Sequence, residues 1–159
     1  MTIRKAKKGD IDQVANLTLE MYKFHGKLSE RHKIKSDAEC LKFIKNELKE
    51  NFKKQKRTIL VCEEKRKIPG YVEFEIQKWP YLAKQKEAWI YAICVDKNYR
   101  GEGIASALTK EVAKRLKKLG IKEINISYVP ENKKSSGFWK KLKAKTIAVN
   151  AVISIKDIL

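Results

Sequence analysis

Ala88-Trp89-Ile90-Tyr91-Ala92-Ile93-Cys94-Val95, followed by Asp96-Lys97-Asn98-Tyr99-Arg100-Gly101-Glu102-Gly103-Ile104-Ala105, is the stretch whose reading decides the fold. Its first eight residues are apolar on both alternating faces, as in a central strand covered on two sides. Asp96-Lys97-Asn98 ends that strand. From Gly103 the apolar period lengthens: Ile104, Leu108, Val112 and Leu116 recur every fourth residue, Lys110, Lys114, Lys117 and Lys118 fall elsewhere, and Gly120 suits a helix stop. Strand, turn and helix follow one another directly. At the turn, two glycines and an alanine let a ligand approach the main chain. The free amides and partial positive charge of a helix N-terminus can hold phosphate oxygens there, with Arg100 adding a charge-assisted contact.

The flanking sequence supplies the remaining elements. Thr2 to Ala6 reads as a short strand, followed by a helix with Ile11, Val14, Leu17 and Met21 on one face, capped by Asp10 and ending near Gly26. Ser36-Asp37-Ala38-Glu39 has capping-box form and opens a second helix to about Gln55 that buries Cys40, Phe43, Ile44 and Leu48. Thr58 to Cys62 and Tyr71 to Ile76 are β-rich and flank the turn Glu64-Lys65-Arg66-Lys67, so they form a hairpin. In its second strand Val72, Phe74 and Ile76 share one face; Tyr71, Glu73 and Glu75 share the other. Lys122 to Val129 reads as the next strand, Asn132 to Leu142 as a short helix, and Thr146 to Ile155 as one or two closing strands. The order is β-α-α-β-β-β-α-β-α-β-β.

The chain's 159 residues suit one α/β domain, with residues 1–57, 58–98 and 99–159 as consecutive parts. No apolar run approaches the ~18–20 residues that span a bilayer, and the polar start lacks a signal-peptide core, so a cytoplasmic protein without a membrane partner is expected. Three cysteines and two histidines fit neither a disulfide framework nor a metal site, and Cys40, Cys62 and Cys94 are expected as buried thiols. The net charge is +18, yet residues 58–98 carry seven basic and six acidic side chains and are nearly neutral. This basic surplus attracts anions without choosing among nucleic acid, acidic protein and phosphorylated ligands.

The glycine corner lacks the third small residue of a dinucleotide fingerprint, because Ser106 stands there, and no nucleoside-triphosphate P-loop occurs. Val95-Asp96 with Tyr99-Arg100-Gly101-Glu102-Gly103-Ile104-Ala105 resembles the Arg/Gln-x-x-Gly-x-Gly/Ala cofactor motif of the GNAT superfamily of N-acetyltransferases, and Asn132 with Phe138 and Trp139 resembles a second feature of that family. The likeness covers roughly residues 88–142. It implies an α/β (α+β) fold, a mixed and mostly antiparallel sheet of six or seven strands flanked by about four helices. It also implies transfer of acetyl from acetyl-coenzyme A to a primary amine, of a protein N-terminus, a lysine or a small molecule, by direct attack and without a metal. Backbone amides of Arg100, Gly101, Glu102, Gly103, Ile104 and Ala105 would take the pyrophosphate. Ile93, Cys94 and Val95 would pair with the pantetheine arm, and Asn132 and Trp139 would lie at the same cofactor. Residues 1–57 would supply part of the amine site.

Direct attack needs a neutral amine, hence a proton acceptor. The family's usual carboxylates are replaced here by Tyr91, Ala92 and Ser127, and its usual tyrosine acid by Trp139, whose indole N–H is far too weak an acid. Proton transfer through water, Glu73 or Glu75 as base or as attractor for a cationic amine, and Tyr91 or Tyr128 as acid are the candidates. A cationic surface repels polyamines unless the near-neutral middle forms their entrance, and it suits an acidic or neutral protein acceptor. Two other functions stay open: a basic nucleic-acid or ribosome-binding module, drawn from the Lys114-Arg115-Leu116-Lys117-Lys118 cluster, and a relative that binds acetyl-coenzyme A without transferring acetyl. Closing strands of this kind pair within one chain or across a dimer, so monomer and homodimer both remain possible.

Overall fold

The computed structural model describes residues 1–83 and 86–158. They fall into two compact units, Met1–Ser127 and Tyr128–Leu159. The first holds a five-stranded sheet in the order β1-β2-β3-β4-β5: β1 (Thr2–Lys5), β2 (Thr58–Glu64), β3 (Lys67–Lys78), β4 (Lys86–Val95) and β5 (Ile124–Ile126). The first three pairings are antiparallel, and β5 alone lies parallel to its neighbour. Between β1 and β2 run α1 (Ile11–Leu28) and α2 (Asp37–Lys54), and between β4 and β5 runs α3 (Ile104–Lys118). This parallel closure through a helix is what the change of period at Gly103 predicts.

The sheet is covered on both faces. On one, Val14, Ala15, Leu17 and Leu19 of α1 and Ile44 and Leu48 of α2 pack with Ile59, Val61, Tyr71 and Cys94. On the other, Ile104, Leu108, Val112 and Leu116 of α3 are all buried, as their spacing predicts, and α3 meets β2, β3 and β4. A Cβ on Gly70 would stand 2.9 Å from Ile104 Cγ2, so α3 begins hard against β3. Lys65 and Arg66 both take positive φ, 47° and 66°, which makes the expected hairpin a two-residue turn whose twist suits the flanking strands.

Several sequence expectations are corrected. Asp10 precedes α1 but gives it no side-chain cap: its carboxylate accepts from Arg4 at 2.7 and 3.0 Å and from the Lys7 amide at 2.7 Å, and Arg4 also donates to Glu63 at 2.6 Å. A guanidinium fork outcompetes a single amide for a buried carboxylate. Ser36 does cap α2, its hydroxyl accepting from Glu39 N at 3.1 Å. Phe43, expected inside, is 62% exposed, because Ile44 and Leu48 complete the apolar stripe of α2 without it. The strand after α3 shrinks from Lys122–Val129 to Ile124–Ile126, and the described sheet has five strands where six or seven are expected.

The second unit, taken by itself, contains α4 (Lys133–Lys141), followed by Lys143 in the left-handed region with φ of 60°. Lys thus occupies the cap position usually given to glycine. The expected closing strands over Thr146 to Ile155 do not form: residues 145–154 carry no regular structure, and Ile147, Val149, Val152, Ile153 and Ile155 are exposed. Alternation of apolar residues makes a strand only where a neighbouring ladder accepts its amides and carbonyls, and no ladder among the described residues includes these.

Candidate active site

The corner between β4 and α3 is open. Gly101 and Gly103 sit at φ of 91° and 79°, a region costly to any residue with a Cβ, which explains the glycines at these two positions. A Cβ on either would meet no atom within 4 Å, so the space above them is clear. The α3 ladder begins with Ala107 N donating to Gly103 O at 2.9 Å and leaves the amides of Ile104, Ala105 and Ser106 outside it. Arg100, Gly101, Glu102 and Gly103 are exposed, whereas the Ile104 side chain is buried and pins the corner to the core. Arg100 Nε donates to Val95 O at 3.1 Å, so part of its guanidinium closes the turn rather than projecting from it. Amides outside the helix ladder, room above the glycines and a helix dipole make this corner fit an anionic phosphate group.

The sheet itself parts next to that corner. Strand β4 pairs with β3 along its whole length but with β5 only at Ala88, Ile90 and the Trp89 between them. Beyond Ile90 the β5 side of β4 has no strand partner among the described residues, so alternate backbone groups of Tyr91 to Val95 stand outside the β4/β5 ladder. A register shift falls at the same point: Glu73 stands opposite Ala92 and Phe74 opposite Ile90, leaving Tyr91 as the extra residue of a bulge. Such bulges redirect a side chain and end pairing. Within the expected Ile93–Val95 segment, Cys94 is turned inward, its thiol donating to Leu17 O at 3.3 Å and its pKa pushed up to about 11 by burial.

Glu73 and Glu75 lie on the α1/α2 face, as their alternation with Val72, Phe74 and Ile76 predicts. Neither carboxylate is fully solvated. Their side chains are 17% and 12% exposed, and both meet Arg57, at 3.6 and 3.5 Å. Burial raises the pKa of Glu73, Arg57 lowers it, and Glu75 and Glu47 raise it again. The Arg57 guanidinium lies 4.1 Å from the centre of the Tyr91 ring, whose hydroxyl accepts from Gln77 Nε2 at 2.9 Å. Trp89, opposite Glu75, keeps its indole N–H buried with no acceptor among the described residues. Burial also raises the pKa of Tyr22 on α1, and the charge of Glu73 adds to that rise.

Arg57 and Trp89 escape sequence reading as site residues. Arg57 stands among 16 basic residues of the first 57 and carries no local signal. Only the fold turns it toward the hairpin carboxylates. In the second unit, Asn132 caps α4, its Oδ1 accepting from Ser135 N at 3.1 Å. Trp139 is buried with its ring edge-on to Phe138 at 4.8 Å, and Tyr128 is half-buried. No group of three or more His, Cys, Asp or Glu side chains that could hold a metal occurs among the described residues.

The structure sets an amide corner that suits an anion next to the short parallel pairing of β4 with β5, and comparison with known proteins gives the class. Residues 15–143 match the model of the acetyltransferase (GNAT) family. This chain belongs to that family. An uncharacterized N-acetyltransferase of Methanocaldococcus jannaschii is 28% identical over 141 residues, 89% of this chain, and the chain spans 59% of that relative's length. A tetramutant of a Bacillus halodurans protein superposes with a TM-score of 0.86 at 21% identity, covering 98% of this chain and 100% of the other. A Clostridium acetobutylicum protein described as a predicted acetyltransferase and solved with acetyl-CoA gives 0.75 at 14% identity, covering 98% and 97%. At these identities the two solved structures speak for the fold. No described helix is long and apolar enough to cross a membrane.

Proposed function

We propose that this chain is an N-acetyltransferase that moves the acetyl group of acetyl-coenzyme A to a primary amine, on a protein or a small molecule. The observation that carries the reading is the continuity of the amide corner at Arg100–Ala105 with the segment of β4 from Tyr91 to Val95 that lies beyond its ladder with β5 among the described residues. The corner amides hold the pyrophosphate. The β4 edge takes an extended amide-bearing arm as a neighbouring strand would, which sets the thioester where an amide of β4 donates to its carbonyl oxygen. Family membership supports acyl transfer, and the Clostridium protein's acetyl-CoA supports the donor.

The amine approaches from the α1/α2 face, past Glu73, Glu75 and Tyr91. Glu73 takes the proton that the ammonium must lose, since burial holds its pKa above the usual carboxylate value and brings it nearer to the working pH. The nitrogen then bonds to the acetyl carbon, the carbon–sulfur bond breaks, the thiolate leaves with the electron pair, and the second nitrogen proton passes through water to that thiolate. Positioning and the fixed β4 dipoles supply most of the rate. The acceptor entrance draws on the near-neutral residues 58–98, so the chain's cationic surface does not bar an amine there.

Calorimetry with acetyl-coenzyme A, followed by thiol release over peptides, polyamines and aminoglycosides, tests the reading. Saturable binding with turnover of at least one amine is the expected result. Binding with no turnover across the panel replaces the enzyme by a non-catalytic acetyl-coenzyme A binder, and no binding at all removes the assignment and returns the basic surface to a nucleic-acid role.

A further inference from the structure

Arg57 lies outside every part of the site that sequence reading assigns, yet four side chains converge on it. Its backbone is gripped from both sides by one residue of α2: Arg57 N donates to Asn51 Oδ1 at 2.8 Å, and Asn51 Nδ2 donates to Arg57 O at 3.1 Å. That clamp fixes the segment just after Gln55, the left-handed residue that ends α2. From this anchor the guanidinium reaches the two β3 carboxylates at 3.6 and 3.5 Å and lies over the ring of Tyr91, the bulged residue of β4. The planar guanidinium suits all three tasks at once, because it offers several donors in its plane and a flat face to an aromatic ring.

Resting on the acetyl-transfer reading above, we propose that Arg57 is the positioning residue of the acceptor site, holding Glu73 charged and aligned beside Tyr91 while Asn51 holds Arg57. Two carboxylates that are mostly out of water repel each other, and without a cation one of them keeps its proton. Arg57 leaves the pair with one surplus negative charge, enough to draw a protonated amine and still able to accept its proton. The other groups facing Glu73 do not replace it. Glu75 on its own strand and Glu47 on α2 oppose its ionisation, while Tyr22 on α1, Tyr71 on β3 and Tyr91 on β4 bring no positive charge.

The test compares wild type with Arg57→Ala and Arg57→Lys, reading kcat/KM against pH for an accepted amine and, separately, the titration of the Glu73 carboxyl carbon by NMR without any substrate. In Arg57→Ala the acid limb of the rate profile is expected to move to higher pH, so that kcat/KM falls about tenfold at pH 7 and much less at pH 9. Methylguanidinium, which restores the missing head group, should return part of the pH 7 rate, and Arg57→Lys should keep the charge and lie between. The Glu73 resonance should titrate at higher pH in Arg57→Ala than in wild type. A rate lowered equally at all pH values, or an unmoved Glu73 titration in a variant whose folded spectrum is intact, overturns the proposal. If wild type acetylates no amine, the NMR arm still decides the role of Arg57, and only the acetyl-transfer reading is lost.

Discussion

Replacing Gly103 by alanine separates the cost of backbone strain from the loss of ligand contact. Gly103 has φ of 79° and ψ of 5°, and a left-handed conformation costs a residue bearing a Cβ about 1–2 kcal/mol. The new methyl meets no protein atom within 4 Å, so no further clash is added to that strain. For a chain of this size about 1 kcal/mol lowers Tm by roughly 2–4 °C. The same methyl projects into the clear space over the corner, where a phosphate must come within hydrogen-bond distance of the Gly103 to Ala105 amides. Losing one charge-assisted contact of about 1.5–3 kcal/mol corresponds to a Kd raised roughly tenfold or more. Scanning calorimetry gives the first quantity and titration calorimetry with acetyl-coenzyme A the second. A small Tm change with an unaltered Kd would refute the corner as the phosphate site, whatever the chain's activity.

Further outcomes follow from other groups. Glu73→Gln should lower kcat/KM by about 10²-fold and abolish the acid limb of the pH profile, measured by thiol release. Because the folded pKa of Glu73 is raised, its contribution to stability is complete below the ordinary carboxylate value near 4.5 and lost as pH rises through the folded value. Urea midpoints of Glu73→Gln should therefore gain on wild type with rising pH. The opposite sign holds at Asp10, whose pKa is lowered from 3.8 chiefly by the Arg4 hydrogen bonds: that stability is present above 3.8 and lost as pH falls through the folded value. Arg4→Ala should cost about 3 kcal/mol near neutral pH and much less in acid, read from denaturation midpoints. Leu108→Ala, at a fully buried α3 position, should cost about 3 kcal/mol by the same measurement.

Local chemistry alone determined much of this protein. The doubly apolar run Ala88–Val95, the fourfold spacing from Ile104 to Leu116 and the glycines at 101 and 103 report backbone demands that act within a few residues, so strand, corner and helix are all legible in order. The alternation that puts Glu73 and Glu75 on one face of β3 is equally local. Tertiary structure decided what those faces meet. The fold carries Arg57, held by nearby Asn51, onto the hairpin carboxylates, and the β4 bulge that frees Tyr91 exists only in the pairing of β4 with β3. Phe43 has the sequence character of a core residue and lies outside because its neighbours fill the stripe first. The apolar alternation of residues 146–155 makes no strand, since a strand is a property of two segments and only one of them is written there.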